Sequence, residues 1–175
     1  MHQEQIETRI ATLVFVIDRS RSEPHVLMGD KVGGHATIGT TNGYGGGWEK
    51  FDRTVRHTTV RECPEEGKFH LKIGHLRKVG LIDFFDHPDQ IVPNYHMHIH
   101  VAEKWEGIPQ PTEEVINPTW YPLSKLPLDK TMPDKCLWLP RILNGDRLRG
   151  WVYYTCPQRV SVAKHRLRPL KRWDR

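Results

Sequence analysis

Three carboxylates in the stretch RECPEEGKF, at Glu62, Glu65 and Glu66, stand at i, i+3 and i+4, which on a helix gathers them on one side. Like charges so placed repel, so the helix either leaves them in solvent or gives them something positive to hold. A hard divalent cation suits them: Mg2+ takes oxygen ligands at about 2.1 Å and is typically bound by a few carboxylates plus the phosphates of a substrate. A second set of candidate ligands, His96, His98 and His100, alternates along one strand. Alternate strand positions lie about 7 Å apart, too far to share an ion through bonds of about 2 Å, and these histidines are read as a polar strand face. Cys63, Cys136 and Cys156 are odd in number and lack C-x-x-C spacing, which points to isolated reduced thiols.

The elements that must position the acids follow from the flanking residues. Thr54 is the expected N-cap of a helix in which Val55, Thr59, Val60 and Cys63 recur at helical spacing, and Gly67 is expected to close it as a left-handed cap. Pro64 deletes a hydrogen bond and crowds the carbonyl of Val60, so a bend between Val60 and Glu65 is expected. Ahead of the helix, GDKVGGHATIGTTNGYGGG reads as a loop that brings backbone close to a ligand or to other backbone. Thr12 to Ile17 and His25 to Met28 read as two strands joined by a turn, HLKIGHLRKVGLIDFF, NYHMHIHVAEKW, WVYYT and RVSVAKH as further strands, and CLWLPRIL as a second helix. Pro-rich turns occupy the region from Pro109 to Pro127.

The whole chain has 175 residues, 37% hydrophobic and 27% charged, which suits one packed domain. Its longest apolar stretch, Ala11 to Ile17, is far shorter than the roughly 20 residues that span a bilayer, and the opening MHQEQIETR lacks signal-peptide character. The expectation is an intracellular, cytoplasmic protein without membrane association, a monomer by default. The net charge is +5, of which residues 158–175 carry +6, leaving the remaining 157 residues at −1. That basic segment is read as a solvated terminus, with a polyanion anchor as the sharper alternative.

Reading back from Arg61, the stretch GWEKFDRTVRHTTVRECPEE resembles the Nudix box, G-x5-E-x7-R-E-U-x-E-E-x-G-U, through Gly47, Arg61, Glu62, Cys63, Glu65 and Glu66. Arg53 stands where the box has its first Glu, Pro64 fills the variable position, and Gly67 comes one residue early. Over roughly Thr8 to Thr155 the chain is similar to the MutT-homologue branch of Nudix hydrolases, through TRIATLVFVID, TNGYGGGWE, KVGLIDFF, TEEVINPTWYPL, MPDKCLWLP and GWVYY.

The resemblance implies an α/β Nudix fold, a mixed curved β-sheet sandwiched between α-helices, over residues 8–157, followed by the basic segment 158–175. It implies Mg2+, with Mn2+ as the alternative, held by Glu62, Glu65, Glu66 and Glu114, with Glu113 as the fallback for the last. The implied reaction is hydrolysis of a purine nucleoside triphosphate, 8-oxo-dGTP included, to a monophosphate and pyrophosphate. Glu65 or Glu114 would take the proton of the attacking water, Arg61 would orient a glutamate and brace the loop, and the backbone of Gly45, Gly46 and Gly47 would stand near the phosphates. Asn42, Asp134, Phe84 and Trp138 are carried over as base-binding residues. The family's W-P-D-D segment is Met132, Pro133, Asp134 and Lys135 here, so one acid is replaced by a residue that can only donate. Two alternatives stay open: another nucleoside diphosphate derivative as substrate (ADP-ribose, a dinucleotide polyphosphate, capped RNA), or a non-catalytic domain that binds nucleotide or RNA.

Overall fold

The computed structural model describes residues 7–33 and 37–171. The elements are β1 (Arg9–Asp18), β2 (His25–Lys31), β3 (Thr41–Asn42), α1 (Val55–Gly67), β4 (Arg77–Phe85), β5 (Tyr95–Ala102), β6 (Val115–Pro122), α2 (Lys135–Leu143), β7 (Leu148–Tyr154) and β8 (Val162–Pro169). They form one mixed sheet in the order β3-β2-β1-β5-β4-β7-β8, with β6 paired to β2. The β1–β5 and β4–β7 pairs are parallel, and every other pair is antiparallel.

The run TLVFVI makes β1 central: five of its six residues are apolar and all six are buried, on both faces of the sheet. Leu13, Phe15 and Ile17 enter a core with Trp138, Leu139 and Ile142 of α2, while Val14 and Val16 enter a second core with Tyr44, Phe69 and Cys63 of α1. A strand buried on both faces reads as a continuous apolar run. The two helices therefore cover opposite faces of the sheet, the sandwich expected from the sequence. Within the Pro-rich region, Pro118 sits inside β6, which pairs only with β2; an edge position tolerates the missing donor. The glycine-rich stretch is less of a loop than its composition suggests, since Gly29 to Lys31 finish β2 and Thr41–Asn42 form β3; its residues 34–36 lie outside the described part. The basic segment contributes β8, which closes the sheet against β7 and exposes Lys164, Arg166 and Arg168 along its outer edge, where charge discourages further strand pairing. Its last four residues, 172–175, also lie outside the described part.

α1 runs unbroken through Pro64. Its inward stripe is Thr58, Thr59, Glu62, Cys63, Glu66 and Gly67, so polar and small residues, not large apolar ones, face the sheet. Gly67 does not form the left-handed cap. It stays helical, and it is a glycine for packing: a Cβ there would lie 2.6 Å from the Phe69 ring and 2.7 Å from that of Tyr44, while the turn passes to Lys68 at φ 59°. The histidine face of β5 is likewise more enclosed than expected. His96 pairs with Asp83, but His98 is half-buried and His100 is buried under α1, with Nδ1 3.3 Å from Thr59 Oγ1.

Two measurements follow from these local departures. A left-handed conformation at a residue with a Cβ costs about 1 kcal/mol, so Lys68→Gly should raise the urea unfolding free energy by roughly that amount. Burial, with neighbouring His98, Arg56 and Lys78 charge adding, lowers the His100 pKa from 6.5 to about 3. Below pH 6.5 the unfolded chain binds a proton that the folded chain refuses, so this residue withdraws stability as pH falls from 6.5 toward 3. His100→Gln should make the decline of the melting temperature over pH 6.5 to 4.5 shallower than in the native protein.

Candidate active site

The glycine segment lies against the first half of β1. Thr12 N–H donates to Gly46 O at 2.9 Å, and Val14 and Tyr44 exchange backbone hydrogen bonds at 2.7 and 3.0 Å. Gly45 has φ 142°, and a Cβ there would stand 2.2 Å from Thr12 O. At Gly46 a Cβ would lie 2.6 Å from the carboxyl of Glu62. The two glycines thus let bare backbone meet the acids of α1, and Gly45 N–H donates to Glu66 Oε2 at 2.8 Å.

The three glutamates separate by direction. Glu62 and Glu66, one turn apart, point inward, while Glu65 is 55% exposed and joins Arg61 at 2.9 Å. The question raised by their repulsion has an answer within the chain: Lys31, at the end of β2, sets its Nζ 2.6 and 2.7 Å from the two oxygens of Glu66, with both side chains under 8% exposed. Arg61 serves the other acids. It contacts Glu62 Oε1 at 2.9 Å and Asp52 through Nε and Nη2 at 3.2 and 3.1 Å, and it donates to Gly47 O at 3.0 Å. Glu114 is exposed at the start of β6, and its charge adds to the electrostatic load on Glu66. Glu113 is exposed beside it.

Burial pushes the Glu62 carboxyl up to about 7, the pull of Arg61 being opposed by Glu66 and Glu65. Burial also raises Glu66 in spite of Lys31 and the Gly45 N–H. Among the described residues no three His, Cys, Asp or Glu side chains converge to hold a metal as they stand. The donor set nevertheless fits a hard cation: Glu62, Glu66 and Glu114 supply only carboxylate oxygen, against a wall without side chains, and burial raises Glu62 and Glu66. Lys31 and Arg61 already supply part of the positive charge that these acids call for.

Sequence reasoning missed both Lys31 and Asp52. Asp52 stands immediately before Arg53, the departure from the box. It takes the Arg61 bond, and the guanidinium holds its carboxyl below the usual range, so an acid displaced by one residue was the available signal. Lys31 had a weaker one, a lysine in a buried alternate position of a strand.

The residues carried over for base binding fall into two groups. Asp134 is 1% exposed and both its oxygens are taken, Oδ1 by Tyr154 OH and Oδ2 by Trp138 Nε1, each at 2.7 Å. Trp138 is fully buried and Phe84 stacks on Tyr154 with ring centres 6.1 Å apart. These three belong to the core rather than to an open wall. Lys135 is 5% exposed with Nζ 4.7 Å above the Trp138 ring, and buried Asn42 accepts from Gly43 N–H through Oδ1. A cavity of about 450 Å3 opens nearby, lined among others by Thr40, Asp86, Tyr95, Met132, Pro133 and Arg159. Lys31 N–H donates to Thr40 O at 2.9 Å, so one hydrogen bond joins the cavity wall to the acid site.

The family model described as NUDIX domain matches residues 7–141. No curated protein matches the chain. Among solved structures, the MutT protein of Bacillus halodurans is 21% identical, with 91% of this chain and 97% of that one covered and a TM-score of 0.71. The NUDIX domain of Shewanella oneidensis NrtR, solved with ADP ribose, is 13% identical over 79% and 87% at a TM-score of 0.61. A bifunctional NMN adenylyltransferase/ADP ribose pyrophosphatase of Francisella tularensis, solved with AMP and a Mn ion, is 17% identical over 81% and 42% at 0.56.

Removing one partner of a buried ion pair leaves the other charge uncompensated, at about 3–5 kcal/mol. Lys31→Met should therefore lower the unfolding free energy by roughly 3 kcal/mol, and Lys31→Met combined with Glu66→Leu should recover much of it, as read by urea titration.

Proposed function

The chain belongs to the NUDIX family of hydrolases, and from that premise we propose that it is a divalent-metal-dependent hydrolase of purine nucleoside triphosphates, releasing a nucleoside monophosphate and pyrophosphate. The observation that carries this reading is the pair of inward carboxylates, Glu62 and Glu66, set against bare glycine backbone and joined through Lys31 and Thr40 to a cavity roomy enough to admit a nucleobase. Phosphates would lie over residues 45–47 and a base would enter the cavity.

Mg2+ or Mn2+ would be held by Glu62, Glu66 and Glu114, with Glu65 at the rim. Once bound it neutralises phosphate charge and lowers the pKa of water. The chain does the rest. Arg61 ties α1 to Gly47 and Asp52 and so positions Glu62 and Glu65 without needing to touch substrate. Of the two candidates for general base, Glu65 is engaged by Arg61, whereas the Glu114 carboxylate has no hydrogen-bond partner among the described residues, and we assign the water's proton to Glu114. Asn42 keeps its amide Nδ2 for the substrate, because only Oδ1 is spent on Gly43.

A second substrate class, nucleoside diphosphate derivatives such as ADP-ribose, keeps the same acids and is favoured by the ADP ribose found in the NrtR domain. Products separate the two, since a triphosphate can release pyrophosphate and ADP-ribose cannot.

Assayed on dGTP, 8-oxo-dGTP, dATP, 2-oxo-dATP and ADP-ribose, the protein should release pyrophosphate and monophosphate from a purine triphosphate only with Mg2+ or Mn2+ present. Chelation should stop turnover. Glu66→Gln should lower kcat by about 10²-fold or more with an unchanged far-UV spectrum, and activity retained in that variant, or silence on every triphosphate, would overturn the reading.

A further inference from the structure

The part of the sheet formed by β4, β7 and β8 is packed on one side only. The core under α2 takes Leu148, Val152 and Tyr154 of β7, with Val162 and Leu167 of β8 against it, whereas the core under α1 takes no residue from these three strands. Their α1-side face therefore stays open among the described residues. Register decides what stands on it: Arg149 beside Arg168, Trp151 beside Arg166, and Tyr153 beside Lys164. The four cations are exposed, and none has an ion-pair partner among the described residues. Asp83, opposite Trp151 on β4, is the neighbouring acid, and it is hydrogen-bonded to His96. The rings are braced from beside. Phe85 and Tyr153 stack with centres 4.0 Å apart, Lys164 Nζ lies 4.4 Å from the Tyr153 ring centre, and Trp151 meets Tyr153 edge-on at 5.3 Å. Tyr153 is fixed between a ring and an ammonium and fixes Trp151 in turn. Arg149, Arg166, Arg168 and Leu170 close a hollow of about 320 Å3 around Trp151 and Gly150. Like charges directly opposite on paired strands repel, so Arg149 and Arg168 cost stability until an anion lies between them.

We propose that this open face is a docking surface for single-stranded nucleic acid, with phosphates on the four cations and an unpaired base stacked on Trp151 in the hollow. Charge complementarity selects a polyanion, because residues 158–175 carry +6 of the chain's +5 and β8 lays part of that charge flat beside the rings. Lys164, Arg166 and Arg168 alternate along β8 and so stand about 7 Å apart in succession, a row that a phosphate backbone can follow. Cations interleaved with aromatic rings hold single strands because every base offers a face to stack. An acidic peptide would meet the cations and bring no ring to Trp151, and a duplex keeps its bases stacked inside. Neither contact reads the sugar, so a thymidine oligomer serves as the probe. The face belongs to strands other than those that carry the acid site, and the inference does not rest on hydrolysis.

Binding of a fluorescein-labelled thymidine 12-mer is measured by anisotropy over about 50 to 300 mM salt, with folding checked by circular dichroism. The proteins compared are the native chain, Arg149→Glu/Arg168→Glu, Trp151→Leu, and Lys125→Glu/Lys130→Glu, whose net charge changes equally at exposed positions elsewhere. Four phosphate contacts should give a slope of log affinity against log salt of about −3. The arginine variant should bind at least about 10-fold more weakly with a flatter slope, Trp151→Leu at least about 5-fold more weakly, and the lysine variant far less so. Unlabelled 12-mer should compete better than its duplex with the adenosine strand or than oligoglutamate. Absence of binding by the native protein, an equal loss in the lysine variant, native affinity in Trp151→Leu, or equal competition by duplex or oligoglutamate would each overturn the inference and leave triphosphate hydrolysis untouched. Should the arginine variant fail to fold, Trp151→Leu and the competitors decide the case.

Discussion

A buried carboxylate needs a cation within reach, and the candidate site of this protein is organised around that requirement. α1 turns Glu62 and Glu66 toward the sheet, where burial raises the proton affinity of both. Lys31 from β2 and Arg61 from α1 itself supply the compensation. Because Lys31 reaches from the sheet, its bond to Glu66 locks the helix to β2. Arg61 reaches Gly47 and Asp52, so its contacts lock the helix to the glycine segment. The acids, the bare backbone and the start of the cavity wall are therefore one electrostatic unit.

The same requirement explains why the helix has so little apolar surface. A helix is usually held by an apolar stripe, whereas the inward stripe of α1 is threonine, glutamate, cysteine and glycine. Apolar grip is supplied around it by Tyr44, Phe69 and the strand residues Val14 and Val16, and polar grip by Lys31 and Arg61. Carboxylates enclosed beside the sheet need partners that leucine cannot supply, and Lys31 and Arg61 supply part of that positive charge.

On the opposite side of the sheet the logic is reversed. Asp134 has been drawn into the core and satisfied there by Trp138 and Tyr154, while Arg159 lines the cavity and is held by Asp86. Arg159 belongs by composition to the basic C-terminal segment, yet it sits at the cavity because β8 folds back on β7 and brings the preceding turn with it.

The sequence by itself determined the sandwich and the existence of the acid site. Alternation and apolar runs identify β1, β2, β4, β5, β7 and β8, and the spacing of Arg61, Glu62, Glu65 and Glu66 with Gly47 identifies the family, because periodicity and spacing are local properties. Several things only the tertiary structure decided. Which of the three glutamates turn inward depends on where α1 docks. That Asp52 stands in for the acid missing at Arg53, that Lys31 neutralises Glu66 across 35 residues, and that Gly67 packs while Lys68 makes the turn all depend on contacts between segments remote in sequence. The burial of Asp134, Trp138 and Phe84, and the placing of Arg159 at the cavity, have the same origin: whether a polar or aromatic side chain is core or binding surface is settled by what packs beside it, and residue type does not carry that information.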